Sequence, residues 1–307
     1  MTISIVIPVF RSQASLRALH DQVVTAVTPL DTDFELILVE DDGKDGSWEV
    51  IESLAVEDRR VRGIRLLRNS GQHNALLCGI RAATRDIVVT IDDDLQNPPD
   101  QIPILLEKLQ SGHDVVYGTP QREQHGLLRD LASRITKLAL ASSMGAATAA
   151  NVSAFRAFRC PLRDAFADYR GPTANIDVLL TWGTTRFAAV KVRHDPRRVG
   201  QSNYTFRKLV HHALNMMTGF SVIPLQLASV AGILLGLLGF GILAFVVFRF
   251  ILYGSDVPGF TFLAAVIAIF SGAQLLALGI FGEYLARMHF RSMDRPPYAV
   301  AERTAAR

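Results

Sequence analysis

Short apolar runs alternate with stretches of helical periodicity through the first 120 residues. Ile3 to Val9, Glu35 to Glu40, Gly63 to Leu67, Asp86 to Ile91 and Asp114 to Tyr117 predict strands. Helices are predicted between them near Ala14 to Ala26, Ser47 to Ala55, His73 to Ala83 and Pro99 to Gln110, the last opened by Asn97-Pro98-Pro99. This alternation predicts an α/β domain with a mostly parallel, doubly wound sheet. In such sheets ligands bind beyond the carboxyl ends of the strands.

The pattern changes in the last third of the chain. Leu225 to Phe248 and Phe260 to Gly282 contain no charged residue. At about 1.5 Å per helical residue, each is long enough to cross a hydrocarbon core of about 30 Å. The short link between them holds Tyr253-Gly254 and Pro258-Gly259, so an antiparallel transmembrane hairpin is expected. Arg207, Lys208, His211 and His212 precede it, and Arg287, Arg291, Arg295, Arg303 and Arg307 follow it, against Arg249 alone near the link. That asymmetry predicts a cytoplasmic main domain and cytoplasmic ends. Tyr204 to Ser221 spaces Phe206, Leu209, Val210, Leu214, Met217 and Phe220 as expected of a helix lying at the membrane surface, or of a plain core helix. The expected organisation is a soluble domain at 1–203, an interfacial helix at 204–222, the hairpin at 223–287 and a cytoplasmic tail at 288–307. Residues Met1 to Pro8 read as a strand and not as a signal peptide.

Composition narrows the choices further. At 49 % hydrophobic and 20 % charged residues, the chain is neither disordered nor collagen-like. Thirty-two Lys plus Arg against 29 Asp plus Glu leave a net +3, too small a surplus to predict a nucleic-acid partner. The two cysteines, Cys78 and Cys160, are far apart and lack C-x-x-C spacing, so they predict inert buried thiols and no zinc site.

Two predicted strands run into carboxylate clusters, Glu40-Asp41-Asp42 and Asp92-Asp93-Asp94, which would project from the same sheet edge. Crowded carboxylates without neighbouring His or Cys suit a hard cation, Mg²⁺ or Mn²⁺, shared with substrate phosphates. A nucleotide diphosphate fits that chemistry. No G-x-G-x-x-G, G-x-x-x-x-G-K-[ST] or G-x-S-x-G occurs, so the sequence gives no support to dinucleotide, P-loop or α/β-hydrolase chemistry.

Taken in order, several motifs carry a resemblance. They are Ile7-Pro8-Val9-Phe10, Val39-Glu40-Asp41 with Asp45-Gly46-Ser47-Trp48, and Arg68-Asn69-Ser70-Gly71-Gln72-His73. Asp92-Asp93-Asp94-Leu95-Gln96-Asn97-Pro98-Pro99, Gly200-Gln201-Ser202-Asn203-Tyr204 and Gly282-Glu283-Tyr284-Leu285-Ala286-Arg287 follow. Together with the hairpin, they resemble the GT-A fold glycosyltransferases of family 2, in the polyisoprenyl-phosphate branch that includes dolichyl-phosphate mannose synthase and bacterial undecaprenyl-phosphate sugar transferases. The resemblance implies that Pro8, Val9 and Asp41 line the nucleotide pocket. It also implies that Asp92 and Asp94 hold a Mg²⁺ or Mn²⁺ ion with Gln96 beside them, and that Asp93 faces the nucleotide or sugar. Asn69 and Gln72 bond to nucleotide or sugar, with helix capping as the alternative for Asn69. Arg122, together with the Arg129 and Ser133 pair and Arg134, matches the acceptor-phosphate site of the family, where a guanidinium fork suits phosphate. Arg197 matches an arginine on a loop closing over the donor, with Arg198 as competitor. The resemblance also favours a homo-oligomer, a tetramer.

The chain departs from the family pattern at three places. Asn151-Val152-Ser153-Ala154-Phe155-Arg156 carries Ala154 where many members have an aspartate, Asp42 replaces a glycine, and Arg11-Ser12 replaces an Asn-Glu pair. An acceptor phosphate with a second pKa of about 6 can attack without a strong base, or Asp177 compensates for the missing carboxylate. The expected activity is metal-dependent, inverting transfer of one sugar from a nucleotide-sugar, UDP-linked in preference to GDP-linked, to a polyisoprenyl phosphate. Undecaprenyl phosphate is the favoured carrier. A GDP-mannose-dependent synthase and a non-catalytic membrane scaffold are the alternatives.

Overall fold

The computed structural model describes residues 1–120, 149–171, 174–195, 223–254 and 259–304. Four β/α units open the chain: β1 (Ile3–Val9), α1 (Leu16–Val27), β2 (Phe34–Glu40), α2 (Ser47–Glu57), β3 (Val61–Leu66), α3 (Gln72–Ala82), β4 (Ile87–Thr90) and α4 (Ile102–Gln110). β5 (Val115–Pro120), β6 (Arg156–Arg159), a short α5 (Ile176–Leu180) and β7 (Phe187–Val192) complete the domain's main body, and β8 (Val300–Arg303) joins it from the end of the chain. The strands form one eight-stranded sheet in the order β7-β5-β6-β4-β1-β2-β3-β8. β1 to β4 are mutually parallel, β7 runs parallel to β5, and β6 runs antiparallel to both of its neighbours. The expected α/β architecture is therefore present, as a mixed sheet.

Central position explains why β1 is apolar on both faces apart from Ser4. All seven of its residues are buried, because helices cover both faces of the sheet. Ile3, Ile5, Ile7 and Val9 pack with Leu16, Leu19 and Val23 of α1, while Val6 turns the other way onto Ala75 and Ile80 of α3. Each fully buried aliphatic side chain of this kind contributes about 1.5–3 kcal/mol. The one polar residue of β1, Ser4, donates to Glu35 Oε1 at 2.7 Å, and Arg62 Nη1 holds Glu35 Oε2 at 2.6 Å. These bonds satisfy the polar groups at the sheet's amino edge. Cys78 and Cys160 are both buried and unpaired.

Two long helices follow, α6 (Ile223–Tyr253) and α7 (Phe260–Ser292). Their candidate spans have mean hydropathies of 2.7 and 1.4, and none of either span is buried within the protein. Phe240 is 71 % exposed and Ile251 73 %. Helices apolar all round and uncovered by protein fit a membrane and not a core. The helices touch where Gly239 lies against the Phe270 ring. α7 runs ten residues beyond the apolar stretch read from the sequence, through the Glu283–Arg287 ion pair at 2.7 Å, to Ser292.

The chain after α7 is more than a tail. Val300–Arg303 forms β8, which adds antiparallel to β3 at the sheet edge. Arg65 Nη1 bonds Glu302 Oε1 at 2.9 Å, and Gly63 N donates to Thr304 Oγ1 at 2.9 Å. Tyr298 lies under the Arg81 guanidinium, 5.9 Å from it. This strand ties the far end of the hairpin to the main sheet. Its four residues, two of them charged, gave no alternating signal in the sequence. The expected surface helix, Tyr204 to Ser221, lies outside the described residues.

Gly63 allows this packing. A Cβ at that position would sit 2.5 Å from Ile51 Cγ2 and 2.7 Å from Thr304 Cγ2. Gly63→Val is expected to lower stability by about 1–3 kcal/mol through overpacking. It should also release β8, read as faster amide exchange over 300–304; unchanged exchange there would show that the strand is held by other means.

Candidate functional site

The carboxyl ends of β1, β2 and β4 and the loop entering α3 surround one cavity of about 230 Å³, lined by Pro8, Val9, Phe10, Asp41, Asn69, Gly71, Gln72, Asp92, Asp93 and Asp94. Residues separated by more than eighty positions in the chain thus share one wall. The loops here are tightly turned. Arg11, Asp42, Lys44 and Leu95 all have positive φ, and Leu95, at φ 60°, is a bulky residue that pays for this conformation just after the acidic triplet.

Asp41 follows directly on β2 and is 3 % exposed. Its Oδ1 accepts the Ser70 amide at 2.6 Å and its Oδ2 accepts the Gly71 amide at 2.8 Å, pinning the loop that leads into α3. Gly71 holds φ 90°, which residues with a side chain rarely adopt. Burial pushes the Asp41 carboxyl up to about 6, against the lowering effect of the two amides and with added repulsion from Glu40 and Asp42. Keeping it ionised at neutral pH costs on the order of 3 kcal/mol. Of the first acidic cluster only Asp41 faces the cavity: Glu40 Oε1 instead accepts the Gly43 amide at 2.5 Å and closes the turn. Gly71 is the N-cap of α3, so the capping role considered for Asn69 falls away, and Asn69 lines the cavity.

The triplet after β4 divides its work. Asp92 Oδ1 accepts from Gln72 Nε2 at 2.7 Å, so Gln72 orients a carboxylate. Desolvation, then the charges of Asp94 and Asp93, push the Asp92 carboxyl up to about 7, opposed by Arg156 and by the Gln72 bond. Asp93 turns back toward β1: its Oδ2 accepts the Phe10 amide at 2.9 Å and the Ser12 hydroxyl, while its carbonyl accepts Ser15 Oγ at 2.9 Å. Burial raises its pKa despite those donors. Asp94 Oδ1 accepts the Gln96 amide at 3.1 Å. Gln96 is half-buried beside the cavity, and its carbonyl accepts the Asp195 amide at 2.8 Å. His194 Nδ1 meets Asn97 Oδ1 at 3.2 Å, so the chain leaving β7 is stitched to this loop.

Among the described residues no three His, Cys, Asp or Glu side chains converge into a ready-made metal cage. The donor set is oxygen-only, crowded and short of positive charge. That suits a hard cation bound by one or two carboxylates that finishes its shell on substrate phosphates.

Asp177 stands apart from the cavity. It lies in the first turn of α5, 3 % exposed, and accepts from Nη1 of Arg156. Arg156 was missed as a site residue, although its charge inside the apolar run Ala154-Phe155-Arg156-Ala157-Phe158 was a readable signal. The Ala154 carbonyl accepts the Thr90 hydroxyl at 2.7 Å, which places this position beside the strand carrying Asp92. Arg122, Arg129, Ser133, Arg134, Arg197 and Arg198 lie outside the described residues. A larger cavity of about 600 Å³, lined in part by Arg85, Arg159 and Arg163, opens at the amino end of β4 and holds none of the expected site residues.

Comparison with known proteins agrees with this architecture. The model of the family "Glycosyl transferase family 2" matches residues 4–169. The chain is 32 % identical over 301 residues to the undecaprenyl-phosphate 4-deoxy-4-formamido-L-arabinose transferase of Proteus mirabilis (strain HI4320), covering 97 % of this chain and 92 % of that protein. It is 34 % identical, with the same coverage, to the protein of that name from Enterobacter sp. (strain 638). The solved glucosyl-3-phosphoglycerate synthase of Mycobacterium tuberculosis, in complex with Mn²⁺, UDP and phosphoglyceric acid, superposes with a TM-score of 0.51 at 21 % identity, over 71 % of this chain and 76 % of that one. That likeness bears on the fold, which is of the GT-A type. By sequence and by architecture, then, the chain is a glycosyltransferase that belongs to glycosyl transferase family 2.

Proposed function

We propose that this protein transfers one sugar, with inversion, from a UDP-sugar to undecaprenyl phosphate at the cytoplasmic leaflet of a membrane. The observation that carries the reading is the acidic cavity at the carboxyl edge of the sheet, formed by Pro8, Val9, Asp41, Asn69, Gln72, Asp92, Asp93 and Asp94 in a chain that also bears an apolar two-helix hairpin. Relatives over nearly its full length act, by their names, on undecaprenyl phosphate and 4-deoxy-4-formamido-L-arabinose. That sugar belongs first in any donor panel.

The residues take their roles from their positions. Asp41 holds the Ser70–Gly71 loop and, with Pro8, Val9 and Asn69, shapes the nucleotide end of the cavity. Asp92 and Asp94 would hold a divalent ion, Mg²⁺ or Mn²⁺, with Gln72 fixing Asp92 and Gln96 fixing Asp94. Such an ion supplies charge neutralisation on the nucleotide diphosphate as it departs. Asp93 keeps the β1 loop in place and does so from the same wall of the cavity. An oxygen of the acceptor phosphate attacks the anomeric carbon as the bond from that carbon to the nucleotide's diphosphate oxygen breaks. With Asp177 engaged by Arg156, the acceptor attacks as its own dianion, without a carboxylate base. Arg122, Arg129, Ser133 and Arg134 bind the acceptor phosphate, and Arg197 closes over the donor.

The strand β8 supports the membrane arrangement, since it joins the end of α7 to the same sheet that carries the site. The domain at 1–203, the surface helix at 204–222 and the hairpin then meet at one face of the bilayer, with both chain ends on the cytoplasmic side. A homo-oligomer, a tetramer, is the proposed assembly.

Radiolabel transfer to undecaprenyl phosphate in detergent, from a panel of UDP-sugars and GDP-mannose, tests the reaction. Labelling by one UDP-sugar that EDTA abolishes and Mn²⁺ restores is expected; labelling from GDP-mannose alone would give the mannose-synthase reading. Asp94→Asn is expected to abolish transfer. Arg129→Ala should raise the acceptor KM about tenfold or more with the donor KM unchanged.

The Asp41 carboxyl also gives the site a pH dependence. Raised to about 6, it is protonated below that pH and loses an acceptor for the Ser70–Gly71 amides. UDP affinity, measured by calorimetry, is therefore expected to weaken as pH falls through about 6. The group's contribution to stability has the opposite sign, because the folded state binds its proton more tightly than the unfolded chain does. Stability falls as pH rises from about 4 through 6.

A further inference from the structure

Arg156 is the one basic side chain among the described buried residues, at 1 % exposed. It opens β6, opposite Thr90 of β4 and Tyr117 of β5, one step from the strand end that leads to Asp92. Its guanidinium donates to Asp177, lies 6.0 Å from the centre of the Tyr117 ring, and reaches the Ala154 carbonyl at 3.5 Å. Asp177 is fixed in turn. The Ile176 amide donates to His73 Nδ1 at 3.3 Å and the Ala174 amide to Asn74 Oδ1 at 3.3 Å, which anchors α5 to the first turn of α3 beside Gln72.

The described lining of the cavity holds four aspartates and no basic residue. A cation is favoured by that field and a diphosphate is opposed by it. The one buried positive charge among the described residues is Arg156, paired across the sheet with Thr90, two residues before Asp92. A buried ion pair is a weak source of net stability, because desolvation offsets the attraction. Its field persists in a low-dielectric surrounding, where a unit charge is felt over several ångströms.

We propose that Arg156, moderated by Asp177, is a positioning residue that sets the balance of the cavity between divalent cation and nucleotide diphosphate. The pair touches neither ligand. It fixes the net charge under the acidic wall, so that the cation is held without the diphosphate being repelled. This inference rests on the metal and diphosphate reading of the cavity.

The test uses the full chain in detergent, with Mn²⁺ binding followed by electron paramagnetic resonance and UDP binding without metal followed by calorimetry. Asp177→Asn removes the moderating charge and leaves the guanidinium uncompensated. The Kd for Mn²⁺ should rise about three- to tenfold, while the Kd for metal-free UDP falls by a similar factor. Arg156→Lys keeps the charge and should preserve the ratio of the two affinities within about threefold, including where Asp177→Asn does not fold. A merely structural role would weaken both ligands together and lower the melting temperature in parallel, and that outcome overturns the inference. A ratio changed about tenfold with the charge retained in Arg156→Lys overturns it as well. If the parent protein binds neither Mn²⁺ nor UDP, the reading of the cavity itself fails and the inference falls with it.

Discussion

Four carboxyl groups, those of Asp41, Asp92, Asp93 and Asp94, are held within one small cavity at the edge of a sheet whose interior is apolar, and each is kept there by bonds to backbone or side-chain donors. Burial and mutual repulsion work against ionisation at Asp41 and Asp92, and the fold opposes both with amides, Gln72 and the charge of Arg156. Stability lost in this way is a mark of a site organised for ligands. A cation with a nucleotide diphosphate would complete the charge balance that the protein leaves open.

The acidic triplet shows how one short run serves several purposes. Asp93 braces β1 through Phe10, Ser12 and Ser15. Its neighbours on either side share the cavity wall with it and are oriented by Gln72 and by the Gln96 amide. The same loop receives the chain leaving β7, through Gln96 with Asp195 and Asn97 with His194. The segment that runs on toward the hairpin therefore starts from the edge of the cavity, and β8 returns to the opposite edge of the same sheet. The catalytic sheet is tied to the hairpin at both ends.

Much of this was legible in the sequence because the central strands are apolar on both faces and the hairpin helices are apolar all round. β1 was read with the bounds it has, and α1 to α4 were placed within a few residues. The cavity residues Pro8, Val9, Asp41, Asn69, Gln72 and Asp92 to Asp94 stand in motifs whose family resemblance implies a shared pocket. β6 and β8 were missed for a physical reason: Arg156–Arg159 and Val300–Arg303 pair through their backbones while carrying charged side chains, so no period of two stands out. Asp93 lines the cavity, and motif reasoning does not register that Phe10 and Ser12, more than eighty residues earlier, also offer it donors. Arg156 and Asp177 became meaningful as a pair only when β6 and α5 came together. The arginines expected to meet the acceptor lie beyond the described residues, so their grouping rests on sequence alone.

The central claim is that the acidic wall binds a divalent cation together with a nucleotide diphosphate. The most direct test is an experimental structure of the full chain with UDP and Mn²⁺, using anomalous scattering to locate the manganese. The account predicts one manganese between the diphosphate and a carboxylate oxygen of Asp92 or Asp94, with the nucleotide lying toward Asp41 and Asn69. Manganese or UDP bound elsewhere, such as in the arginine-lined cavity at the opposite edge of the sheet, would contradict it.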